Sequence, residues 1–146
     1  MNILVTVDFS RASIGILERA KTLAIGLSAK VWLLHVVDQD PDFLDDEFGS
    51  QPERDQLSRE FPREYKALLK EVDTFQNFNL DTTPLLEQGS TVEIILQKSK
   101  MLEIDIIIIG SHGHGGVHHL IFGSVSEGVL RRASCPVLVI PTHGRT

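Results

Sequence analysis

The residues best suited to chemistry run from Gly110 to Gly128: Gly110-Ser-His112-Gly113-His114-Gly115-Gly116-Val-His118-His119-Leu-Ile-Phe-Gly123-Ser124-Val125-Ser126-Glu127-Gly128. Glycine has no Cβ, so its backbone N–H can approach an anion closely and positive φ is tolerated. Ser124 opens a helical pattern, and the amides and dipole of a helix's first turn favour a bound phosphate. Glycines, a serine hydroxyl and a helix N-terminus together describe a phosphate cradle. Other glycine motifs do not fit. A P-loop requires a lysine after its second glycine, and this run has none. A dinucleotide fingerprint requires Gly-x-Gly-x-x-Gly after the first strand, where Asp8-Phe9-Ser10 stand instead. Within the run, Gly113-His114-Gly115 meets His118 at the third glycine position, and no Gly-x-Ser-x-Gly nucleophile elbow occurs. His112, His114, His118 and His119 crowd together and could suit zinc, copper or nickel. No acidic or thiol ligand joins them, so no metal held by the protein itself is expected.

These residues need elements to position them. Ile3–Val7, Val31–Val37, Ile106–Gly110 and Val137–Ile140 are short runs, apolar at consecutive positions and rich in β-branched residues. That is how a strand covered on both faces of a parallel sheet reads. A weaker strand is expected from about Asp81 to Leu86, with Pro84 marking an edge. Helical spacing follows Ser10, with Ile14, Leu17, Ala20, Ala24 and Leu27 on one face. Leu57, Phe61, Tyr65, Leu68, Val72 and Phe75 form another, and Pro62 within it predicts a kink or a late start. Ser90-Thr-Val-Glu93 and Ser124-Val-Ser-Glu127 have the spacing of capping boxes. Strands alternating with helices predict an open α/β parallel sheet with helices on both faces. In such a sheet ligands bind beyond the carboxyl ends of the strands, where strand order reverses.

That rule makes Asp8 a ligand contact, although it could instead cap the first helix. Ser126 is read either as a ligand contact or as an exposed first-turn residue. His35, in an apolar strand, is expected to be a satisfied core histidine, and Cys135 a small core residue. Asp38-x-Asp40-x-Asp42 resembles a calcium loop, but Phe43 stands where the turn needs glycine, so a solvated acidic loop is expected over 38–53.

Composition narrows the function classes. The chain has 146 residues, 42% hydrophobic and 23% charged, with a net charge of −6. The size suits one domain spanning 1–146, and the acidity argues against broad binding to nucleic acid or anionic lipid. Cys135 is the one cysteine, which excludes an internal disulfide. No apolar run is long enough to span a bilayer, and the first residues read as a strand rather than a signal peptide, so a cytoplasmic protein is expected.

Gly110-x-x-Gly113, nine residues, then Gly123-Ser124 completes a wider pattern. Together with Ile3-Leu-Val-Thr-Val-Asp8-Phe-Ser10, Leu33-Leu-His-Val-Val37, Asp105-Ile-Ile-Ile-Ile-Gly110 and Cys135-Pro-Val-Leu-Val-Ile140, it resembles the universal stress protein family over nearly the whole chain. The resemblance implies a five-stranded sheet of order 3-2-1-4-5, adenine nucleotide alpha hydrolase-like, and a homodimer through the last strand (residues about 136–141). It also implies the ATP-binding subgroup. By motif position, Asp8 would hold the ribose and adenine end, with Val36 or Val37 near adenine. Gly110, His112, Gly113, Gly123, Ser124, Val125 and Ser126 would contact ribose and phosphates. Between Gly110 and Gly128 there is no Lys or Arg. Nucleotide affinity should therefore rise as pH falls through the histidine range, or Mg²⁺ or Mn²⁺ on the phosphates should supply the charge. A slow ATP hydrolase or phospho- or nucleotidyl transferase, and a nucleotide-free structural dimer, are the alternatives. No residue is assigned a catalytic role.

Overall fold

A computed structural model describes residues 1–37, 54–111 and 123–142. The acidic stretch 38–53, and His112, Gly113 and the other residues of 112–122, lie outside the described residues. The chain runs β1 (Asn2–Thr6), α1 (Arg11–Leu27), β2 (Lys30–Val37), α2 (Arg54–Glu60), α3 (Pro62–Gln76), β3 (Thr82–Gln88), α4 (Thr91–Met101), β4 (Ile106–Gly110), α5 (Ser124–Arg132) and β5 (Val137–Ile140). The five strands form one sheet of order β3-β2-β1-β4-β5, with every pairing parallel.

The strand order explains the two layers of helices. The chain steps outward from β1 to β2 to β3, then returns past β1 to add β4 and β5 on the other side. Right-handed crossovers in opposite directions put their helices on opposite faces. Leu17, Ala20 and Ala24 of α1, Leu57 of α2, and Leu68, Val72 and Phe75 of α3 pack with Ile3, Val5, Leu33 and Ile108. Ile94 and Ile95 of α4 and Val129 of α5 pack with Leu4, Leu34, Leu85, Ile107 and Ile109. Neighbouring residues of one strand thus serve different cores, which is why the central strands are apolar at consecutive positions.

Three local expectations are corrected. The buried face of α1 is Ser13, Ile16, Leu17, Ala20 and Ala24, while Ile14 and Leu27 are exposed. On this face the buried Ser13 hydroxyl donates to Asp8. Neither glutamate of the expected capping boxes closes one. Ser90 is the N-cap of α4 but makes no side-chain cap bond, and Glu93 pairs with Arg132 of α5. The N-cap of α5 is Gly123 rather than Ser124, and Glu127 pairs with Arg131 one turn along the same helix. The break at Pro62 does occur, dividing α2 from α3 without turning their shared apolar face away from the sheet. Strand β3 is an edge, and Gln76 Nε2 donates to the Thr82 carbonyl there at 3.3 Å. Pro84, two residues on, brings no N–H to that side, so the edge is blunted.

Candidate functional site

The site is built where β1 and β4 leave the sheet side by side. Ile3, Leu4 and Val5 pair with Ile106, Ile107 and Ile108, so Asp8 and Gly110 follow at the carboxyl ends of adjacent strands. Phe9 takes φ 60°, a left-handed conformation that is uncommon for a bulky residue. The turn folds the chain back toward α1. Asp8 Oδ1 accepts the Ser10 N–H at 3.0 Å, the Ser10 hydroxyl at 2.6 Å and the Ser13 hydroxyl at 2.6 Å. The carboxylate therefore organises the start of α1 while standing at the strand end. His35 Nδ1 lies 2.7 Å from the Val7 carbonyl, which can only accept, so Nδ1 carries the proton. The Phe9 ring tilts against the imidazole at 4.5 Å between centroids. His35 is thus satisfied within the fold, as expected.

On the β4 side, Ser111 is the organising residue, and the sequence reading did not single it out. It is buried, with its N–H on the Ile140 carbonyl at 2.8 Å. Its own carbonyl accepts the Gly123 N–H at 2.6 Å and the Ser126 hydroxyl at 2.9 Å. Its Oγ accepts the Thr142 N–H at 3.0 Å. The two ends of the glycine-rich run are therefore fastened together at their base. Ser126 is buried rather than an exposed first-turn residue, and its hydroxyl also lies 3.0 Å from the Gly123 carbonyl. Ser124 is exposed and Val125 is half-buried against the α4–α5 core. Gly123 as N-cap contributes no side chain to the first-turn amides of α5, leaving them to other acceptors. The signal that could have found Ser111 is a lone hydroxyl directly after four isoleucines and a glycine, at a strand end in the expected crevice.

Val36 and Val37 end β2, next along the sheet from β1, and the Val37 carbonyl accepts the Gly89 N–H at 3.3 Å. The structure thus gathers Gly110, Gly123, Ser124, Val125 and Ser126 around Ser111, with Asp8 and then the two valines on successive strand ends. Cys135 is half-buried; burial first, and the charge of Asp105 second, push its thiol up from the usual range. Among the described residues no group of three or more His, Cys, Asp and Glu could hold a metal ion, and no helix is long and apolar enough to cross a membrane. An open groove of about 810 Å³ lies along α3, lined by Arg63, Lys66, Lys70, Gln76 and Pro84 among others. None of the site residues lines it, and its cations project from a solvated helix face, so the strand-end crevice is the stronger candidate.

Comparison with known proteins points to a family. The universal stress protein family model matches residues 1–141. Universal stress protein A homolog 1 of Coxiella burnetii is 28% identical over 139 residues, covering 95% of this chain and 94% of its own. A putative universal stress protein of Staphylococcus haemolyticus is 33% identical over 144 residues, covering 97% and 85%. Among solved structures, the universal stress protein UspA of Lactobacillus plantarum superposes with TM-score 0.77 at 26% identity, covering 96% of this chain and 97% of its own. A universal stress protein of Archaeoglobus fulgidus in complex with dAMP shares the fold, with TM-score 0.68 at 20% identity and coverage of 96% and 97%. With the family pattern matched from the first strand through the last, this chain belongs to the universal stress protein family.

Proposed function

We propose that this protein binds an adenine nucleotide (ATP, ADP or AMP) beyond the carboxyl ends of β1 and β4, and works as a cytoplasmic homodimeric stress-response or signalling module. One observation carries the reading. A glycine N-caps α5 immediately beside the end of β4, where strand order reverses, and Ser111 fixes it there. First-turn amides at such a point suit phosphate oxygens. In this reading Gly110, His112, Gly113, Gly123, Ser124, Val125 and Ser126 surround ribose and phosphates. Ser126 acts by holding the backbone, since its hydroxyl is spent on the Ser111 and Gly123 carbonyls. Asp8 takes the ribose and adenine end, and Val36 and Val37 flank the base. The fold neighbour solved with dAMP, and another solved with cAMP, are consistent with an adenine nucleotide in this architecture.

Mg²⁺ or Mn²⁺ would join through the phosphates, supplying charge that a run without Lys or Arg does not. Protonated histidines would do the same at lower pH. The dimer would form through β5, which pairs with β4 on one side only among the described residues and leaves Leu138 exposed.

Nucleotide retained on purification, identified by mass, together with ATP titration calorimetry, tests the binding. Gly113→Val should abolish binding while the sheet stays folded, because a branched side chain blocks close approach of the amide. Unchanged ATP affinity in that variant would place the ligand elsewhere.

A further inference from the structure

We infer that Ser111 and Thr142 are positioning residues for the nucleotide-binding backbone, an inference that rests on the reading just given. Ser111 is 3% exposed, among isoleucines that need no polar neighbour. A buried hydroxyl costs stability unless bonded, and here every polar group of the residue is engaged. Its N–H reaches the last residue of β5, and its carbonyl reaches Gly123 and Ser126 at the start of α5. Its Oγ meets the Thr142 N–H at 3.0 Å and the Thr142 Oγ1 at 3.1 Å. One residue therefore ties together the exit of β4, the N-cap of α5 and the exit of β5.

Thr142 belongs to no glycine motif and lies beyond the last strand. It joins the site through Ser111. Holding Gly123 at a fixed distance from Gly110 sets the direction of the first-turn amides before any ligand arrives. Binding then carries less of the ordering cost. Coupling of this kind is reciprocal: if Thr142 helps to hold the binding backbone, a bound ligand must help to hold Thr142 and the exit of β5.

The test compares wild type with Ser111→Ala, Thr142→Val and Thr142→Ser. ATP affinity is read by calorimetry, and amide hydrogen exchange at Gly123 and Thr142 is followed with and without ATP. Loss of one or two part-buried hydrogen bonds should weaken ATP binding about tenfold in Ser111→Ala and about threefold in Thr142→Val. Thr142→Ser keeps the hydroxyl and should bind as wild type does. In wild type, ATP should slow exchange at both amides; in Ser111→Ala, which keeps the carbonyl that accepts the Gly123 N–H, ATP should protect Gly123 less. A merely structural role would lower the melting temperature but leave the affinity of folded protein and the ATP-dependent protection of Gly123 unchanged. If wild type binds ATP, and Thr142→Val binds equally well with no ATP effect on Thr142 exchange, the inference is overturned while nucleotide binding stands. If wild type binds no ATP, both fall. Should Ser111→Ala fail to fold, the Thr142 pair decides alone.

Discussion

Asp8 shows how one carboxylate serves fold and site together. Its position at a strand end was readable from the sequence, because Ile3–Val7 marks a buried strand and Asp8 follows it. That the same oxygen gathers Ser10 and Ser13 was not, since it depends on the left-handed turn at Phe9. Asp8→Ala should cost about 1–2 kcal/mol in urea unfolding through loss of the helix-start bonds, and should also abolish nucleotide binding. A variant that unfolds earlier yet binds ATP normally would confine Asp8 to structure. Cys135 makes a prediction of the opposite kind. Its thiol is raised above the usual 9.0 by burial and then by Asp105. A group raised in the folded state contributes stability below its unfolded value and loses it as pH climbs through the folded one. Maleimide labelling of native protein at pH 7 should therefore be slower than labelling of glutathione, and the urea midpoint should fall as pH rises past about 9. Fast labelling at neutral pH would contradict the burial argument.

At the scale of elements, the packing of α4 against α5 turns on Gly128. A Cβ there would stand 3.0 Å from Val92 Cγ2 and 3.3 Å from Cγ1. Gly128→Val should therefore force the helices apart and destabilise by about 1–3 kcal/mol, and Val92→Ala in the same chain should recover part of the loss. Chemical denaturation of the single and double variants measures both; a neutral Gly128→Val would mean the helices adjust freely. The same pair of helices shows where spacing misleads. Ser90 with Glu93, and Ser124 with Glu127, have capping-box spacing, yet each glutamate meets an arginine instead. Such a charge-assisted pair competes with the return bond to the cap, and Arg132 reaches Glu93 only because the fold makes α4 and α5 neighbours. The Arg132 guanidinium, through its hydrogen bond, holds the Glu93 carboxyl below the ordinary carboxylate range. The pair's small surface contribution is present above that range and is lost as pH falls below it, through the lowered value of the folded state. By contrast, Pro62 and Pro84 acted as their chemistry dictates, because a missing N–H has the same consequence in any context.

Across the whole molecule, the two-faced apolar strands made the α/β class legible, since burial on both sides leaves no room for polar alternation. Strand order was a different matter. Periodicity alone gave alternating strands and helices, and the order 3-2-1-4-5 came from family resemblance; the structure shows it. The contact between Ser111 and Thr142, separated by 31 positions, exists because β4 and β5 are neighbours, and no local pattern announces it. The reversal of strand order between β1 and β4 is what brings Asp8, Gly110 and the start of α5 to one end of the sheet. An ATP titration followed by amide chemical shifts tests that placement most directly. Shifts should concentrate at Asp8, Gly110, Ser111, Gly123 and Ser124. Shifts confined to the groove of Arg63, Lys66 and Lys70, or no shifts at saturating ATP, would contradict it.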